Sequence, residues 1–539
     1  MQKAIAALLI LAILAFGCGR AVADQNYAYE VRQDRWSQSD EKDYRDFIVA
    51  IGHSDCSTLD ACLHSAANPF RDTDKPGVTF QSDCAELPYI LRFYFAWKRG
   101  LPFSFESAVS ARGGAARDLR YSRNGNEVTE RFEVPNGADG YRIIERLRGE
   151  ISSASYRVHP DLESPLKPDL YAPAITPASI RPGTIVYDPA GHVGVVFDVD
   201  TKGRVHFFDA HTDFSLTQMT YDLRFTRMKP SVGAGFKNWR PVRLVGAKRR
   251  ADGVLVGGHI EVASNKEIAD FSDEQFFGNG KRPSDADWKS GTFTLNGETL
   301  DYYDYVRAQL AGGKLTFEPV AEIADMARSN CLDLHYRAQA VALAVAKGIQ
   351  NQLEPQRLPD NIYGADGDWE MYSTPSRDAR LKTAFKYLRD MAQRFVEMGA
   401  RHDAHLSYNG DNLPTDLLRA YDQATRYCRV TYTASDGSRV TLGYEDARQR
   451  LFAMSFDPYQ CVELRWGDPS ASGCADRSVK RAWYEAEQSL RNQLERTYDT
   501  RMDFTLDDLQ ARRPGVTSSP DTDVRAYLLS VSAQPDKAP

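Results

Sequence analysis

Between Asp83 and Gly100 the chain reads Cys-Ala-Glu-Leu-Pro-Tyr-Ile-Leu-Arg-Phe-Tyr-Phe-Ala-Trp-Lys-Arg, a run of helix length that is mainly apolar. Such a helix cannot lie at a surface and has to be buried by other layers. Its ends are marked: Asp83 and Glu86 have the spacing of N-cap and N3 residues, and Gly100 and Pro102 stop the helix expected over 84–98. Cys84 then takes the first helical position. Unpaired N–H groups and the helix dipole favour an anion there by ~0.3–1 kcal/mol, which draws a thiol toward thiolate.

The layer that covers this helix comes later in the chain. After the turn Arg181-Pro182-Gly183, the stretches 184–187, 192–199 and 204–209 read as three strands, and the β region closes near Val242–Val245. Residues 104–178 form an insertion rich in Gly, Arg and Ser, with a hairpin near Tyr121–Val134. From about Asp270 the pattern is helical: one long helix or two abutting ones over 320–353, another opened by Thr374-Pro375 with Leu381, Phe385, Leu388, Ala392 and Phe395 on one face, and a last one over about 481–498. A hairpin turns at Ser435-Asp436-Gly437-Ser438. The expected fold class is α+β: a helix carrying Cys84 packed on an antiparallel sheet, then a mostly α-helical domain with a β-hairpin. The expected boundaries are 1–23 for a leader, 24–75 for an N-terminal extension, 76–250 for the sheet domain, 270–513 for the helical domain and 514–539 for a disordered tail.

The leader fixes the compartment. Lys3 precedes the apolar run Ala4–Phe16, and Ala21-Val22-Ala23 is a small-x-small cleavage site ahead of Asp24. The run is shorter than the roughly 20 residues of a membrane span, so it reads as a secretory signal, with lipid attachment at Cys18 as the rival. No second long apolar stretch follows, so no transmembrane span is expected. The formal charge of −7 becomes −9 once Lys3 and Arg20 leave with the leader, a balance that excludes non-specific nucleic-acid binding. Of the eight cysteines, removal of Cys18 leaves an odd set. The short spacings suggest Cys56–Cys62 and Cys461–Cys474 as local pairs, Cys331–Cys428 as a long-range one, and Cys84 as the free thiol.

A thiolate needs a base and a group to orient it. His192 follows Asp188-Pro189-Ala190-Gly191 and opens a strand. Asp209, between Phe208 and Ala210, is a carboxylate in apolar surroundings one strand on, and His211 is the alternative third residue. Neither Asp209/His211/Asp213 nor His402/Asp403/His405 has a metal-binding spacing such as His-Glu-x-x-His, and no metal or cofactor is expected.

Asp83-Cys84 at a helix start, Pro182-Gly183 before a strand and Gly191-His192-Val193-Gly194-Val195-Val196 together resemble the NlpC-type cell-wall endopeptidases and the CHAP amidases, over about 76–215. Ala85-Glu86 stands where those families have Ser-Gly, and Thr184 where they have an acidic residue. The resemblance implies a papain-like fold and a peptidase or amidase acting through a thioester, with Cys84 as nucleophile, His192 as base and Asp209 as orienter. It also implies an oxyanion donor, for which Gln81 is the nearest side chain. With export to the periplasm or beyond, the implied substrate is a peptide of peptidoglycan. The helical domain would position that substrate or bind a protein partner. Asp209 and the run Lys98-Arg99-Gly100-Leu101-Pro102 also resemble the transglutaminase-like branch, which makes an acyl transferase the alternative enzyme. The alternative outside enzymology is a non-catalytic envelope or partner-binding protein on a degenerate scaffold of this kind.

Overall fold

Local chemistry sets the first elements. Ser37 and Asp40 close a capping box at the start of α1 (Gln38–Gly52), whose Tyr44, Phe47, Ile48 and Ile51 form one buried face. A short α2 (Leu59–His64) follows, with the Cys56–Cys62 disulfide beside it. The apolar helix is α3 (Glu86–Arg99), buried without a break from Leu87 to Trp97. Gly100 ends it at φ 66°, a left-handed conformation that costs glycine little. Asp83 caps the start: its Oδ1 accepts from the N–H groups of Ala85 (2.9 Å) and Glu86 (3.2 Å), while Glu86 Oε2 accepts from the N–H of Asp83 (3.1 Å).

The computed structural model describes residues 27–161, 164–189, 191–360, 367–372, 375–468, 477–494 and 502–533. The leader, with Cys18 and Ala21–Ala23, lies outside them. A hairpin of β1 (Ser104–Ala111) and β2 (Asn126–Glu133) and a helix α4 (Gly140–Glu150) lie between α3 and the main sheet in sequence. That sheet contains β3 (Leu170–Tyr171), β4 (Ile185–Asp188), β5 (His192–Val199), β6 (Val205–Ala210), β7 (Leu216–Thr220) and β8 (Gly235–Trp239). Its spatial order is β3-β8-β4-β5-β6-β7, with every pairing antiparallel.

Alternation along the strands builds two cores. Ile185, Tyr187, Val193, Val195, Phe197, Phe208 and Ala210 pack with α1 and α3 on one face. Val186, Val196, Val205, Phe207 and Phe236 pack on the other with Phe225 and α5 (Tyr302–Leu310). The architecture is therefore a mixed α/β one in which an antiparallel sheet is covered on both faces.

The second half is built on α6 (Pro319–Ala346), α7 (Pro375–Ala400) and α8 (Leu413–Thr425), with a hairpin of Arg429–Thr433 and Arg439–Gly443. The Cys331–Cys428 disulfide ties α6 to the residue before that hairpin. Cys461 is disulfide-bonded as well; its expected partner Cys474 lies outside the described residues. Among the described residues no helix is long and apolar enough to cross a membrane.

Three expectations need correction. Residues 27–75 are no extension: Tyr29, Val31 and the apolar face of α1 belong to the same core as α3. The hairpin of the insertion starts at Ser104, well ahead of Tyr121. The tail after 514 carries a helix, α9 (Val524–Ser532), because Val524 and Leu528 share a face that is buried in the core of α7 and α8. In addition, α5 lies past the boundary drawn at 250–270, yet it completes the second face of the sheet.

Candidate active site

Cys84 is the one free cysteine among the described residues. The cap that starts α3 places it there: the Asp83 carbonyl accepts from the N–H of Leu87 (3.2 Å), so the helical path begins at Cys84. The residue keeps some exposure, but its sulfur is enclosed. The thiol lies 3.7 Å from the Gly191 carbonyl and beside the N–H of Val193, the peptide groups on either side of His192. Burial, with the charges of Asp83 and Asp209, pushes the thiol well above its ordinary range, against smaller pulls from the Val193 N–H and Arg380. The thiolate favoured by a helix start is thus outweighed by desolvation.

His192 opens β5 and is buried. Val193 and Val195 face α3, so alternation turns His192 to the opposite face. Its ring lies 6.4 Å from that of Phe225 and 5.5 Å from that of His211. Nε2 meets Asp209 Oδ2. Among the described residues no hydrogen bond joins the Cys84 sulfur to the His192 ring. The expected thiol–imidazole bond is therefore not made in this conformation, because the two side chains approach the start of β5 from its two faces.

Asp209, on β6, is fully buried and is the centre of a polar cluster. Its Oδ1 accepts from Thr217 Oγ1 at 2.6 Å, across the β6–β7 register that pairs these two residues. Burial alone would raise this carboxyl, but the adjoining His192 and His211 rings and the bonds from His192 and Thr217 hold it below the usual carboxylate range. Since Thr217 donates to Asp209, its oxygen accepts from His211 Nε2 at 2.9 Å. Burial pushes His211 down to about 3, only partly opposed by Asp209, and keeps it neutral. With Nε2 turned to Asp209, the His192 ring has its Nδ1 without a hydrogen-bond partner among the described residues.

Sequence alone gave no hint of two contributors. Thr217 reaches Asp209 only once β7 is recognised as the strand beside β6. Tyr336, on α6, comes from the helical half: its ring lies 4.6 Å from that of His211 and its hydroxyl bonds Ser215 at 2.8 Å. A cavity of about 440 Å³ opens between these elements, lined by His192, His211, Tyr336, Arg377 and Arg380 among others; Cys84 is not among its lining residues.

Gln81 does not face the thiol. It is exposed, and its amide oxygen accepts from Arg148 (3.2 Å), because it precedes the capped turn and the chain is still extended there. Burial and the neighbouring Asp83 push Glu86 up to about 8. Asp213 accepts from the N–H of Ser215 at 3.1 Å, and His405 pairs with Glu298 at 3.0 Å. Cys331, His335 and Cys428 lie close enough to share a metal ion, but the two cysteines are joined to each other. No protein-family model, curated protein or solved structure matches the chain.

Proposed function

We propose that the chain is an exported cysteine-nucleophile amide hydrolase and that the conformation described is its resting one. The observation that supports this most is the placement of His192: Nε2 meets Asp209, Nδ1 has no hydrogen-bond partner among the described residues, and the free thiol lies against the main chain of that same residue. Proton transfer then needs the Cys84 and His192 side chains to turn toward each other at the first residue of β5. Gly191, at φ 86°, leaves no side chain in the way.

In the reaction the Cys84 sulfur attacks the amide carbon, His192 Nδ1 takes the thiol proton, and the same proton goes to the departing amine. A thioester remains. Water, deprotonated by His192, cleaves it to the acid and restores the thiol. Asp209 holds the ring and stabilises its charged form. Export, supported by the leader and by disulfides of the kind oxidising compartments favour, makes peptidoglycan stem peptides the leading substrate. An amine in place of water would make the same groups a transglutaminase-like acyl transferase.

The non-catalytic reading is favoured by a different observation, the desolvated thiol with no hydrogen bond to the ring. Incubation of purified muropeptides with the mature protein and with Cys84→Ala, followed by mass analysis, separates the two. The hydrolase releases a cleaved stem peptide that the variant does not. Identical muropeptide profiles from both proteins would leave the scaffold reading in place.

A further inference from the structure

A cavity larger than the one beside His192 lies away from Cys84. It has a volume of about 1080 Å³ and lies between the start of α1, the Arg181–Thr184 turn and the end of β8. His192 pairs with Asp188 at one end of β4, while this cavity borders the other end, roughly 13 Å of strand away.

Its wall is basic in a chain whose formal charge is −7. Arg92 is buried and forms a two-bond pair with Glu41 (2.6 and 2.9 Å), stacking 3.4 Å over Trp36. Arg45 and Arg181 border the same Glu41, and among the described residues neither has a carboxylate within ion-pair distance and the Arg181 guanidinium donates only to the Ala178 carbonyl, at 2.9 Å. Burial would raise the Glu41 carboxyl, yet Arg92, Arg181 and Arg45 hold it below its ordinary range, so three guanidinium groups converge on one carboxylate. The other acidic side chains around the cavity do not offset them. Asp270 accepts from Tyr171, while Glu261 and Glu267 are exposed.

A further donor is idle. Tyr44 is 2% exposed, and its hydroxyl, beside Trp239 Nε1, donates to no acceptor among the described residues. Both residues line the cavity. Buried polar groups normally have partners, and an unsatisfied donor beside surplus guanidinium groups calls for an acceptor that carries negative charge.

We propose that this cavity is a second binding site, for a small ligand carrying at least two anionic groups, carboxylate or phosphate, held by Arg45 and Arg181 with Tyr44 as a neutral donor. The site is independent of Cys84 chemistry. Citrate and inorganic pyrophosphate serve as probes for the two anion types, with sodium chloride at matched ionic strength as control. Binding is read by calorimetric titration of the full chain and by its melting temperature.

The expected result is saturable binding of at least one probe with a Kd below ~1 mM. The doubly substituted Arg45→Gln/Arg181→Gln protein should weaken it at least tenfold, and Tyr44→Phe should weaken it several-fold while keeping the packing of the ring. Tighter binding of citrate assigns the site to carboxylates, and tighter binding of pyrophosphate assigns it to phosphates. No binding of either probe, or equal binding by the unaltered protein and the folded Tyr44→Phe variant, overturns the proposal.

Discussion

Two histidines share Asp209, and their surroundings give them different tasks. His211 is held down to about 3 by burial, whereas the unfolded chain takes up that proton near 6.5. Folding therefore loses stability as pH falls from about 6.5 toward 3, by a few kcal/mol at most, and Asp209, also held low, adds its loss at the acid end. The melting temperature, followed from about pH 7 to pH 4, should fall less steeply in His211→Gln than in the unaltered protein; parallel curves would remove His211 from the linkage. The proposed chemistry makes a second demand. Cys84→Ala and His192→Ala should each abolish turnover, and the double variant should be little worse than either, since groups that act as a unit are not additive. Asp209→Asn should cost less than either. The identities of Cys84, His192 and Asp209 as neighbours at the sheet end were legible from the capping pair, the odd cysteine and the strand openings. Their mutual orientation was not, because the face a strand residue takes depends on register, and a one-residue change of register reverses it.

At the level of elements, packing is close where α1 crosses β5. A Cβ on Gly52 would stand 2.2 Å from Phe197 Cγ, so the two elements approach through the absence of a side chain. Gly52→Ala should destabilise the fold by ~1–3 kcal/mol, read from urea unfolding, despite the better helix propensity of alanine. A neutral result would mean that α1 can shift. The start of α3 invites a milder test: Asp83→Ala removes the side-chain cap and should cost ~1 kcal/mol. The sequence marked α3 at both ends because its signals are local. It concealed α1 as a core element, although Tyr44, Phe47, Ile48 and Ile51 have helical spacing, because the polar stretches around them resemble an extension. The same applies to α9, whose Val524 and Leu528 are too few to announce a buried face without the helices that cover it.

Across the whole molecule, the sheet is closed by the helical half. Tyr336 and Arg380 come to the Asp209 cluster from α6 and α7, and no local pattern in the sequence foretold that meeting. The Cys331–Cys428 disulfide steadies this half by closing a span of 97 residues. On the chain-entropy account its removal, as Cys331→Ser/Cys428→Ser, should cost ~4–5 kcal/mol, more than the loss of the short Cys56–Cys62 loop. Thermal unfolding of the two double variants compares them, and a larger loss at Cys56–Cys62 would contradict the ranking.

The central claim is that His192 serves the Cys84 thiol, and the rate of Cys84 alkylation by iodoacetamide, followed by peptide mass in the unaltered protein and in His192→Gln, tests it most directly. If the pair acts as proposed, the unaltered protein alkylates at neutral pH at least ~10-fold faster than the variant, because an imidazole base populates the thiolate. Equal rates in the two proteins, rising only in strong alkali as a desolvated thiol would, contradict the account.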